Sequence, residues 1–370
     1  MKAQRIVQHM TICIFLLFLS VPLCMFLVTP EKSFSDLENR YLSKMPSLSN
    51  TSIWDKSFQK KSEDAFNDQF LLRDSLVSLN TFQDYALGYS SIHDVYFGKD
   101  SYLLNQQQRL DESIWKQNIK VLNTFAHNKD IPIYLMLVPS TRTILENKLP
   151  NPHYDIDEDV IVKDIQSSLT KQINYVDVFQ TLRNHSLEDI YYKSDHHWSA
   201  LGSYYGYVAF QKERNQEPAP LGTKELIKSN FLGSLYARSK ASWYPGDTLY
   251  AYKNQVDVQV TYDGLQRDTL YIDENAKKRD AYTYFMDGNH AEVNVTTTNT
   301  QKEHILIVRD SFAQSFAPYL VNDVSQITLL DLRYYKGNIS EYIQEHHVDE
   351  ILFLYSMDTF MNTRDISTLK

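Results

Sequence analysis

The sequence predicts an α/β fold: a parallel sheet covered by helices on both faces, carrying an inserted β-rich segment and preceded by an apolar helix. Three observations lead there. Continuous apolar runs at "IPIYLMLVPS" (131–140), "HILIV" (304–308) and "EILFLY" (350–355) have the composition of strands buried on both faces. Stretches with helical spacing of apolar residues separate them, as strand–crossover–strand units require. Residues 247–298 instead alternate polar and apolar in period two, the pattern of half-buried antiparallel strands.

Taken in order, the chain opens with "MTICIFLLFLSVPLCMFLV", the 19 uncharged residues Met10 to Val28. A run of this length can span a bilayer as a helix, and Lys2 and Arg5 ahead of it favour a cytoplasmic N-terminus. A cleaved signal peptide is the competing reading, but "FLVTPEKS" supplies no good small-residue cleavage site. Residues 1–30 therefore read as a single-pass transmembrane anchor, with the rest of the chain outside the cytoplasm. Both cysteines, Cys13 and Cys24, lie in this segment, so the exported part has no thiol and a nucleophile there must be Ser, Thr or a carboxylate. Cys24 follows the bulky Leu23, which disfavours lipidation.

Residues 31–60 read as a polar linker, with an Asn50-Thr51-Ser52 sequon that matters only in a eukaryotic secretory pathway. Residues 54–87 carry helical periodicity through Phe58, Phe66, Phe70 and Leu71. Linker and helical lead-in thus occupy 31–90, and one α/β domain occupies 91–370 with its β-rich insert at about 245–300. Within it, "DVYFGKDSYLL" (94–104) predicts a hairpin, Gln106 to Asn128 a long helix, 156–170 a helix and "INYVDVF" (173–179) a strand. Ser199 is a candidate N-cap for a helix through Phe210. In the insert, "DTLYAYK", "VDVQVTY", "DTLYID" and "AYTYFM" predict strands. The framework resumes with strand 304–308, helix 311–320, strand 326–332, helix 338–346 and strand 350–355.

Composition narrows the function. With 43% hydrophobic residues in 370, the chain can bury a large core. Discounting Lys2 and Arg5 takes the net charge from −9 to −11. An acidic chain without basic runs argues against nucleic acid. Aromatic content is high, with 26 Tyr, a weak pointer to carbohydrate. No Gly-rich phosphate-binding loop is present, and no cofactor is expected.

Two stretches carry candidate chemistry. "ILIVRDSFAQSF" places Ser311 where a buried strand gives way to a helix, at the carboxyl end where catalytic groups of α/β sheets gather. The backbone N–H groups of Ser311 and Phe312 there are candidate oxyanion donors. "IYYKSDHHWSA" (190–200) supplies Asp195, His196, His197 and Trp198. Residues two apart in an extended or turn segment point the same way, so Asp195 can hold the Nδ1 proton of His197 while Nε2 faces Ser311. His196 then points to the opposite side, serving structure or substrate binding, with Trp198 a further substrate-side candidate. The bland readings stay open: Ser311 as an N-cap, the His-His pair as a polar loop element. A metal site is also open, although His290 and His304 lack motif spacing and no Cys or His cluster completes a ligand set.

"YYKSDHHWSALGSYYGY" resembles the signature of the DHHW protein family, which is related to periplasmic alginate O-acetylation proteins. "FSDLENRYLSKMPSLS", "NDQFLLRDSLVSL", "VYFGKDSYLL", "VRDSFAQSFAPYL" and "ITLLDLRYYKGNISEYIQEHHVDEILFLYSMDTF" resemble further blocks of that family, in its order. The resemblance implies an SGNH-hydrolase-like three-layer α/β/α fold. It places the orienting acid at Asp195, the base at His197 and the nucleophile at Ser311. It also implies a polysaccharide acceptor and a multi-spanning membrane acyltransferase that passes the acyl group outward.

Two departures stand out. Arg309 and Asp310 occupy positions where many relatives carry glycine. In "YFMDGNHAEV", Asp287 replaces the first glycine of a Gly-Gly-Asn block, leaving the Gly288 N–H and the Asn289 amide as oxyanion donors by analogy, or a plain turn. The expectation is an exported O-acyltransferase. An esterase with the same residues is the alternative, as is a non-catalytic glycan-binding scaffold using Trp243, Tyr244, Tyr250 and Tyr252.

Overall fold

The computed structural model describes residues 2–47, 54–127, 129–254, 256–299 and 303–369. The sequon at 50–52 and Asn128, the expected end of the long helix, lie outside them. The chain divides into two compact units. One comprises the described residues of Met1–Tyr89 with Tyr236–Trp243, the other Ser90–Leu235 with Tyr244–Lys370.

In the first unit, helix α1 (Lys2–Val28) contains a 25-residue stretch, Gln4–Val28, long and apolar enough to cross a membrane. Its large apolar side chains are exposed, so no core among the described residues accounts for its hydrophobicity. The segment after it is tied down rather than free. Glu38 pairs with Arg73 and with Lys240 at 3.0 Å, and Arg40 forks onto Asp68 at 2.6 and 2.9 Å. Helices α2 (Ser57–Gln69) and α3 (Arg73–Ala86) fill the predicted helical stretch and break at Leu72, whose φ is +56°. Trp243 stacks edge-on against Phe82 at 5.2 Å, so it is packing rather than a glycan platform.

The second unit holds the main sheet. The expected hairpin forms from Val95–Phe97 and Leu103–Asn105. Helix α4 (Glu112–His127) starts six residues later than its periodicity suggests, because Asp111 accepts from the Ser113 N–H and Gln107 is bound by Asp155. Strand β1 (Ile133–Val138) follows, then α5 (Glu158–Ser168), β2 (Ile173–Tyr175), α6 (Val178–Asn184) and α7 (Ala200–Glu213). The predicted strand 173–179 is cut short where Asp177 caps α6 by accepting from the Gln180 N–H. Ser199 caps α7 through the Gly202 N–H, as expected.

Next come β3 (Val258–Tyr262), β4 (Leu265–Arg267), β5 (Glu292–Thr297), β6 (His304–Arg309), α8 (Ala313–Leu320), β7 (Gln326–Leu330), α9 (Ile339–Glu345), β8 (Glu350–Ser356) and α10 (Met357–Asn362). The eight strands order as β4-β3-β5-β7-β6-β8-β1-β2. From β7 to β2 every pairing is parallel, with Leu306 opposite Thr328 and Ile351. β5, β3 and β4 extend the other edge antiparallel. All residues of β1 and β6 are buried, which accounts for the unbroken apolar runs over Ile133–Val138 and 305–308.

The insert departs from its expected pattern. "DTLYAYK" does form a strand (Asp247–Lys253), but it pairs with Thr223–Phe231 in a separate two-stranded sheet. The partner strand, "TKELIKSNF", is largely exposed and polar and gives no strand signal. "DTLYID" and "AYTYFM" meet only at the isolated bridge Tyr271–Phe285, and residues Ala281–Tyr284 make a 3₁₀ turn. Their alternating aromatics instead build a small core, with Tyr271 and Tyr284 stacked at 5.5 Å.

Candidate active site

The site forms at the carboxyl ends of β6 and β8. After Arg309 the chain turns, and Asp310 organises the turn. Its N–H donates to the Leu354 carbonyl at 3.1 Å. Its carboxylate accepts from the Phe312 N–H at 2.9 Å, the Ser356 N–H at 2.8 Å and the Ser356 hydroxyl at 2.9 Å. A residue that looked like an awkward substitute for glycine is therefore the brace of the turn. Arg309 lies buried beneath it, 3.8 Å from Asp331. Ser311 is partly exposed while both neighbours are buried. It is not a cap: α8 starts at Ala313 behind Phe312, and the Ser311 hydroxyl points elsewhere.

It points to His197. Nε2 of His197 lies 2.7 Å from Ser311 Oγ, and Nδ1 lies 2.6 Å from Asp195 Oδ1. Asp195 and His197 are 3% and 6% exposed. Burial works against the Asp195 charge, but His197, His196 and the Ser234 N–H outweigh it and hold the carboxyl far below the usual carboxylate range. An ionised Asp195 can only accept, so Nδ1 of His197 carries the proton and Nε2 accepts from the Ser311 hydroxyl.

Of the two backbone forms expected, extended or turn, the segment adopts the turn. Asp195 Oδ1 also accepts from the His197 N–H at 2.9 Å, closing a local side-chain turn. That turn corrects the expectation for His196. Its ring lies over that of His197 at 3.9 Å, on the same side, with Nδ1 2.6 Å from the Ser234 hydroxyl. The 233–234 segment passes so close that a Cβ on Gly233 would lie 2.3 Å from the Asp195 Cβ, which explains the glycine. Ser234 N–H then donates to Asp195 Oδ2 at 2.7 Å.

Trp198 is also corrected. Fully buried, it donates from Nε1 to the Phe312 carbonyl at 3.1 Å and faces Phe316, joining the histidine turn to α8. It cannot touch substrate. The Phe312 N–H, expected as an oxyanion donor, is already held by Asp310. Gly288 sits in a run of left-handed residues from Met286, with φ +86° and its N–H turned toward the Phe285 carbonyl at 3.4 Å, so the turn reading applies to it. Asn289 is different. Its Oδ1 accepts from Gln314 Nε2 at 3.0 Å and Arg333 Nη2 at 3.3 Å, which fixes its amide beside the first turn of α8.

Sequence reasoning missed Tyr282. Its ring lies parallel to the His197 imidazole, 3.9 Å away with 9° between planes, and its hydroxyl is 3.0 Å from Ser315 Oγ. The only signal was the tyrosine spacing of "AYTYFM", read as a strand. Asp247 was missed as well. It accepts from the Lys193 and Ser194 N–H groups at 2.8 and 2.7 Å, bracing the approach to Asp195. Asp195, His196 and His197 each place one possible ligand atom within 4.8 Å of the others. In the arrangement described, both Asp195 oxygens are engaged by hydrogen bonds to His197 and Ser234.

No curated protein sequence matches this chain. In structure, it is similar to a DHHW family protein from Eubacterium siraeum, with a TM-score of 0.67, 21% identity, and 75% of this chain and 96% of that one covered. It is similar to Bacillus cereus PatB1, solved with a sulfonyl adduct, with a TM-score of 0.60, 20% identity and coverage of 74% and 99%. At a TM-score of 0.47 and 10% identity it also aligns with the O-acetyltransferase domain of Pseudomonas putida AlgJ, covering 75% and 95%. The sequence model described as DHHW protein matches residues 85–330, two thirds of the length. The chain belongs to the DHHW protein family.

Proposed function

We propose that this protein is a serine-dependent O-acyltransferase of the cell envelope, moving an acetyl group onto a polysaccharide hydroxyl. The observation that carries the reading is the unbroken relay from Asp195 through His197 to Ser311, at 2.6 and 2.7 Å. A serine hydroxyl is a poor nucleophile without a base, and a base of this kind must be held in one tautomer.

In the proposed reaction, His197 Nε2 takes the Ser311 proton as Oγ bonds to the acyl carbon. The Ser311 N–H, helped by the Asn289 amide, faces the resulting oxyanion. The bond to the donor's leaving oxygen then breaks and His197 returns the proton to it. A sugar hydroxyl next gives its proton to His197 and attacks the acyl carbon, and Ser311 Oγ leaves and is reprotonated. Base assistance of this kind is worth about 10²–10⁴-fold, and one oxyanion donor roughly 10²–10³-fold.

We read the fold as SGNH-hydrolase-like, with helices layered on both faces of the sheet. We take α1 as an uncleaved anchor holding the domain outside the cytoplasm. The donor is then a membrane acyltransferase that passes acetyl groups outward, and anchoring raises the effective concentration of the two proteins. PatB1 carries a sulfonyl adduct, and sulfonyl fluorides suggest the test. Treatment with phenylmethylsulfonyl fluoride should add one sulfonyl group to Ser311, with fluoride leaving, and His197→Ala should slow this by at least 100-fold. Equal labelling of Ser311→Ala, or none on folded wild type, would remove the reading.

A further inference from the structure

We propose that the cleft beside the amino end of α7 is a binding subsite for an uncharged oligosaccharide, separate from the Ser311 centre. The cleft has a volume of about 540 Å³, within the range of small-ligand sites. Tyr250, Tyr252, Tyr192, Asp189, Lys193 and Lys224 shape its walls.

The sequence of one strand explains the surface. In Asp247–Lys253, Leu249 and Ala251 are fully buried in the small aromatic core. Period two therefore turns Tyr250 and Tyr252 outward, where both rings are part-exposed and line the cleft. Lys224 Nζ lies 4.0 Å over the Tyr250 ring and sets its orientation. Tyr192 adds a second observation. It is 3% exposed, and its hydroxyl has no hydrogen-bond partner among the described residues. The hydroxyl is itself buried, so Tyr192 backs the cleft with its ring and joins it to the small aromatic core.

The chemistry selects a sugar. Tyrosine rings offer flat apolar surface for the C–H face of a pyranose, and Asp189 and Lys193 offer an acceptor and a donor for its hydroxyls. Charges of both signs on one wall disfavour a polyanion, and the shallow polar lining disfavours a lipid chain.

Position ties the cleft to the histidine turn. Lys193 precedes Asp195 and Ser199 follows Trp198, and both line the cleft. Ring to ring, Tyr192 is 6.4 Å from Tyr282, which is 3.9 Å from His197. A chain seated here lies next to the loop that carries the base. The role as acceptor site rests on the acyl-transfer reading, but the binding itself does not.

The test is saturation-transfer NMR on the full chain in nanodiscs, with cellotetraose and tetra-N-acetylchitotetraose as neutral probes and tetramannuronate as a polyanion. At least one neutral tetrasaccharide should bind, and Tyr250→Ala and Asp189→Ala should each weaken it by about fivefold or more. Tyr250→Trp, which keeps a ring, should retain binding, and melting curves check folding. Binding by neither neutral probe, binding only by tetramannuronate, or variants that bind like wild type would overturn the subsite. Sulfonylation of wild-type Ser311 keeps the two readings apart. If labelling persists without glycan binding, only the subsite falls; glycan binding without labelling removes only the acyl-transfer reading.

Discussion

Tyr282 lies face to face with His197, ring centroids 3.9 Å apart and planes within 9°, with its hydroxyl anchored on Ser315. The contact clamps the imidazole alongside the His196 and Phe312 rings, so its position rests on several side chains. The electron-rich face of a phenol also favours the imidazolium that forms when Ser311 gives up its proton. Tyr282→Leu should therefore lower the acylation rate about two- to tenfold, and Tyr282→Phe by less. Stopped-flow acylation with an activated acetyl ester reads this. Equal rates in all three proteins would show the stack to be packing alone.

Asp310 predicts a stability effect. Its carboxylate accepts three hydrogen bonds in a buried turn, two of them from Ser356 at the end of β8. Asp310→Ala would leave those donors unpaired, at a cost of roughly 2–4 kcal/mol. Urea unfolding should show the loss, with Ser311 labelling reduced as the turn loosens. An unchanged midpoint would show that water replaces the carboxylate without penalty.

How much of this was legible beforehand depends on what each residue touches. The parallel strands were legible because burial on both faces leaves an unbroken apolar run, as in "ILIV" of β6. The pairing of Ser311 with Asp195 and His197 was legible from residue types and the family blocks. The bond that selects a turn over an extended segment at Asp195 was not, because it joins a side chain to the backbone two residues on. The tyrosines of the insert misled for a related reason. Alternation signals two different faces, and at Tyr271 and Tyr284 those faces belong to a small core packed against the two-stranded sheet and not to a strand of the main one.

His304, at the start of β6, predicts an acid-side loss of stability. Burial pushes its pKa below the ordinary 6.5, against the opposing pull of the His346 carbonyl and Asp349. The unfolded chain therefore binds a proton that the folded chain resists. Stability from this group is complete above about pH 6.5 and falls as the pH drops toward the lower folded value. Melting temperatures at pH 7.5 and 5.5 should differ less in His304→Asn than in wild type. An identical pH difference in both would refute the assignment.

Chelation separates the relay from a metal centre. With His197 Nδ1 on Asp195 and Nε2 on Ser311, the relay needs no ion. Ser311 acylation should survive exhaustive dialysis against EDTA within about twofold. A loss that zinc restores would favour ligation by Asp195, His196 and His197.

The most direct test of the central claim is intact-mass spectrometry of the full chain after reaction with p-nitrophenyl acetate. Wild type should gain a single acetyl group, mapped to Ser311, and Ser311→Ala and His197→Ala should gain none on the same timescale. An acetyl group that persists in Ser311→Ala, or its absence from correctly folded wild type, would contradict the account.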